Sequence, residues 1–131
     1  MPPLKGIILP IITPLKDRDS LDVEGLERLL EHVIDGGVNG GANVFPKLFA
    51  DTWQAIHHGN PEAIASGMAQ INASQPAYDI GKYASLHIKA MKCALSLLGI
   101  CDDFMAEPFH RFKTPEHEKI ASLLHSLTPS S

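Results

Sequence analysis

The sequence predicts a mostly α-helical chain with a residual α/β portion. Two observations carry that reading. A single β-branched run at residues 6–12 leads into an amphipathic helix, and four later segments repeat apolar residues at helical spacing between caps and prolines. The run Gly6, Ile7, Ile8, Leu9, Pro10, Ile11, Ile12 is continuous rather than alternating, the pattern of a strand covered on both faces. Pro10 cannot donate to a ladder, which weakens the strand. A polar turn leads to Asp22, an N-cap candidate, and Leu26, Leu29, Leu30, Val33 and Ile34 then mark a helix centred near Leu29 that Gly36 and Gly37 stop.

Residues 36–45 hold four glycines, too many for a robust strand, although a short one around residues 38–44 is able to pair in parallel with the first. Pro46 suits the first turn of a helix centred near Thr52, with Leu48, Phe49, Trp53 and Ile56 on its apolar side and Gly59 closing it. Asn60 then caps, and Pro61 opens, a helix centred near Gly67 that runs to about Ser74. Between residues 83 and 98 the apolar positions spread beyond one stripe. That helix, centred near Met91, is expected at the buried centre of a small bundle, with Gly99 as its stop. A connection over residues 101–113 leads to Thr114, Pro115 and Glu116, which open a last helix with Ile120, Leu123, Leu124 and Leu127 on one face. The expected division is a first part over residues 1–60 and a helical region over residues 61–131.

At 131 residues, 44% hydrophobic and 20% charged, the chain has the length of one ordinary domain. Eleven Lys and Arg stand against fifteen Asp and Glu, a formal charge of −4, with no basic cluster able to track a phosphate backbone. Nucleic-acid binding is not expected. No apolar run approaches the roughly 20 residues that cross a bilayer, so no membrane association is expected either. Residues 7–12 are followed by Thr13, Pro14 and charged residues, without a cleavage site, and do not make a signal peptide. Cys93 and Cys101 read as free thiols of a reducing compartment, which points to a cytoplasmic location.

The seven histidines scatter, and only His57 and His58 are neighbours, pointing about 100° apart on a helix where they cannot share a tetrahedral ion. Helix-end solvation is the better reading, and no metal site or cofactor is expected. Lys89 and Lys92 lie three apart on the most apolar helix. A lysine held among apolar groups beside another cation becomes a neutral nucleophile suited to Schiff-base chemistry, whereas a lysine stem that snorkels past apolar surface does not. No G-x-S-x-G, Walker A or G-x-G-x-x-G sequence is present.

Two blocks nevertheless carry a specific pattern. Residues 6–14, then Asp19, Ser20, Leu21, Asp22 and residues 29–40, resemble the start of the dihydrodipicolinate synthase / N-acetylneuraminate lyase family. Gly40, Gly41, Ala42, Asn43, Val44, Phe45 and Pro46, then Lys82 and Tyr83 through Ile88 and Lys89 to Gly99 and Ile100, and Glu107, Pro108 and Phe109, resemble its C-terminal third. Family members are (β/α)8 barrels with a C-terminal helical extension, a fold that typically needs about 250 residues. The resemblance therefore implies an incomplete (β/α)8 barrel remnant, strand 1 with helix 1 and strand 8 with helix 8, plus a C-terminal helical bundle. Strands one and eight are neighbours in a closed barrel, so helix one would serve as their crossover.

The resemblance implies pyruvate-dependent aldol condensation or cleavage through a lysine Schiff base in full-length members, which it also implies are homotetramers. This chain lacks the family's Gly-Thr-Thr-Gly-Glu loop, its proton-relaying tyrosine and its strand-six lysine. No catalytic residue is therefore assigned. By resemblance alone, Thr13 matches the mouth of strand one and Val38 a position near strand eight whose backbone lines the pyruvate pocket. Pyruvate or another 2-oxo acid is an expected ligand only if a pocket survives. The expected alternative role is a helical interaction module that self-associates or binds a full-length homologue, because a barrel remnant exposes apolar area that an intact barrel buries.

Overall fold

A computed structural model describes residues 12–18, 20–32, 40–83 and 85–127. Five α-helices occupy most of them: α1 (Val23–His32), α2 (Pro46–His57), α3 (Pro61–Ser74), α4 (Leu86–Leu97) and α5 (Thr114–Leu127). Two 3₁₀ turns, Gly40–Asn43 and Gln75–Asp79, precede α2 and follow α3. The five expected helix centres all fall inside these helices.

The expected strands are a different matter. The first, over residues 6–12, lies outside the described residues except for Ile12. Of the second, the described part is no strand: Gly40–Asn43 turns into a 3₁₀ helix. The side-chain amide of Asn43 donates to the Gly40 carbonyl at 3.1 Å, and the Val44 and Phe45 amides both donate to the Gly41 carbonyl at 3.0 Å. Local bonds thus occupy the backbone groups that a ladder would need, a competition that asparagine and glycine favour. Among the described residues the one β-type pairing is an isolated antiparallel bridge between Leu15 and Leu21.

Helix ends follow the capping residues. The Asp22 carboxylate accepts from the Gly25 amide at 2.9 Å and opens α1. At the end of α2, Gly59 takes a positive φ of 63°. Its amide donates to the Ile56 carbonyl, while the Asn60 amide reaches the Ala55 carbonyl. Gly99, at φ 73°, closes α4 in the same way, with its amide on Ser96 and that of Ile100 on Leu95. These paired bonds satisfy carbonyls that a helix end otherwise leaves open. The Asn60 side chain also accepts from the Ala63 amide at 3.1 Å, so one residue joins the end of α2 to the start of α3. Asn60→Ala is expected to lower the unfolding free energy by about 1 kcal/mol in urea titrations, the usual cost of a lost cap.

The core gathers around α4. Leu29 of α1, Val44, Ala77 and Tyr78 join Ala90, Met91, Cys93, Ala94 and Leu95 of α4, with Cys101, Ile120 and Leu124 closing the cluster. All six residues from Ala90 to Leu95 are buried, as expected of the central helix. Its ends behave otherwise. Tyr83 precedes the first turn and is 74% exposed, and Leu97 and Leu98 are exposed as well. α5 and the second 3₁₀ turn cover α4, and α2 packs against α3.

Candidate functional site

The strongest concentration of charge in the interior is built on α4. Lys92 is only 5% exposed, although it lies among apolar neighbours on the central helix. After Gly99 the chain turns back alongside the helix, and the Lys92 ammonium donates to the Phe104 carbonyl at 2.5 Å. The Phe104 amide in turn donates to the Asp102 carboxylate at 3.0 Å. Arg111 completes the arrangement from the far end of the same loop. Its Nη1 stands 3.1 Å from Asp103 Oδ1 and its Nη2 3.8 Å from Asp102 Oδ1, with the guanidinium 4.1 Å from the Phe104 ring centre. From α1, Arg28 Nε donates to the Ile100 carbonyl at 2.7 Å and fixes the start of the loop.

Burial governs the ionisation of these groups. It holds the Lys92 amine below its usual value, and the nearby Cys101, Asp102 and Asp103 pull it back up. The Asp103 carboxyl is raised by burial against the opposing pull of Arg111. Both thiols are pushed up, Cys93 to about 12 and Cys101 to about 11, chiefly by burial. They are therefore neutral at physiological pH and poor nucleophiles, and both are free and buried. The Lys92 nitrogen is spent on a carbonyl. It lines none of the cavities of about 590, 230 and 150 Å³ that flank α5, the first 3₁₀ turn and the 104–111 loop. Chemically, the arrangement is a clamp that ties residues 100–111 to α4 and α1.

The sequence singled out Lys92 but paired it with Lys89, which is half-buried and outside the clamp. It missed Asp103 and Arg111. Two adjacent acids placed ten and eleven residues beyond a lysine on an apolar helix, past a glycine stop, were the available signal. Thr13 is exposed, just ahead of buried Pro14, and Val38 lies outside the described residues. His57 and His58 are exposed at the end of α2, where the His57 ring meets Trp53 edge-on at 4.7 Å. Among the described residues no three His, Cys, Asp or Glu side chains stand together as metal ligands would, and no helix is long and apolar enough to cross a membrane.

Asp103 gives the clamp a pH signature. Its carboxyl binds a proton more tightly in the folded chain than in the unfolded one, where it has the ordinary value of 3.8. The folded state therefore carries the full burial penalty at neutral pH and is relieved of it as the pH falls through the raised value towards 3.8. Asp103→Asn has no such proton to gain. Urea titrations are expected to show the stability of the unsubstituted chain rising relative to Asp103→Asn on acidification across that window.

Among solved structures, the dihydrodipicolinate synthase of the commensal bacterium Bacteroides thetaiotaomicron matches this architecture with a TM-score of 0.66. The two share 37% sequence identity over 79% of this chain and 35% of the bacterial one. Over most of its described length the chain is similar to dihydrodipicolinate synthase. It spans about a third of the length of that relative. No protein-family model matches the chain, and no curated protein does. The dihydrodipicolinate synthase relationship thus rests on fold and residue identity together, which agrees with the two sequence blocks and with a mostly helical chain.

Proposed function

We propose that the chain is a non-catalytic, part-length member of the dihydrodipicolinate synthase / N-acetylneuraminate lyase family. One observation carries the reading: Lys92, the buried lysine among the described residues, is committed to the Phe104 carbonyl and lines none of the three cavities described above. A class I aldolase step needs an amine free to condense with a keto acid and a base to move protons. The family's loop, tyrosine and strand-six lysine that supply them are missing from this sequence. On this reading residues 1–60 are the barrel-derived part and residues 61–131 the C-terminal helical region, acting in the cytoplasm. Thr13 and Val38 are what remains of a 2-oxo acid site that has lost its chemistry. An assay of purified chain with pyruvate and an aldehyde, or with an aldol substrate, tests it. No turnover above buffer is expected, and pyruvate-dependent condensation or cleavage would overturn it.

A second reading, that of an interaction module, draws on the surface. Val23 is 56% exposed, Ile56 50% and Met68 45%, on α1, α2 and α3 respectively. Exposed apolar side chains in number favour a partner. That partner is a second copy or a full-length homologue whose barrel covers the helices. Sedimentation velocity of the chain alone and mixed with a full-length family member tests this. A concentration-independent monomer that leaves the homologue's boundary unchanged would remove the reading.

A further inference from the structure

We draw no further inference here: the strongest candidate, the cavity of about 230 Å³ lined by Gly40, Gly41, Gln75, Tyr78, His87 and Met91 between the first 3₁₀ turn and α4, carries nothing because the unpartnered Tyr78 hydroxyl is sealed from solvent rather than shown to face it, and the remaining polar side chains on its wall, Gln75 and His87, are exposed.

Discussion

Lys92→Ala is expected to lower the unfolding free energy by about 3 kcal/mol, whereas Lys92→Met costs about 1 kcal/mol. The alanine variant removes three methylene groups and the ammonium from a buried position, leaving a void in α4's packing and depriving the Phe104 carbonyl of its donor. Methionine keeps nearly the same volume. It also relieves the desolvation that holds the Lys92 amine low, and Arg111 still balances Asp103. Methionine too leaves the Phe104 carbonyl without its donor, so a smaller loss remains, and truncation adds the void to it. Urea titrations of both variants measure the difference. Equal losses would mean that the charge, rather than the packing of the stem, is what the site requires; no loss in either would mean that the clamp contributes nothing to the fold.

Gly67→Ala is expected to cost about 2 kcal/mol, against the ordinary helix preference for alanine over glycine of about 1 kcal/mol. Gly67 is buried on α3 where α2 crosses it closely. A Cβ there collides with the Thr52 hydroxyl and comes within 3.0 Å of Thr52 Cβ and 3.1 Å of Thr52 Cγ2. The hydroxyl has little freedom to leave, because it donates to the Leu48 carbonyl at 2.7 Å. The helices must separate instead. Thr52→Ala removes the hydroxyl and Cγ2, so the double variant should recover much of the loss, with a coupling of about 1 kcal/mol or more in a double-mutant cycle. Additive losses, or a stabilised Gly67→Ala, would show that α2 and α3 do not approach at this point.

The helices were legible because each carries its own signals. Asn60 and Pro61, Pro46 and Gly59, and the run of apolar residues around Met91 specify ends and faces locally, and local bonds then form as written. The 3₁₀ turn at Gly40–Asn43 was not legible as such. Val44 and Phe45 look extended on propensity, but the Asn43 amide and the glycines offer the backbone nearer partners. Burial of Lys92 was the other omission. Lysine at helical spacing usually reaches solvent along its stem, and only the return of the 100–111 segment across α4 closes that route. Such a return is a tertiary event that residues on the helix do not encode. The similarity to dihydrodipicolinate synthase, by contrast, was readable from the two residue blocks, since a pattern shared over many positions needs no single loop to carry it.

On the proposed function, no amine of this chain is expected to form a Schiff base with a keto acid. The most direct test is intact-mass spectrometry after incubation of the purified chain with pyruvate and borohydride, followed by peptide mapping. An unmodified mass is expected. A stoichiometric pyruvate adduct mapped to Lys92, Lys89 or any other lysine would contradict this and place a working nucleophile in the chain.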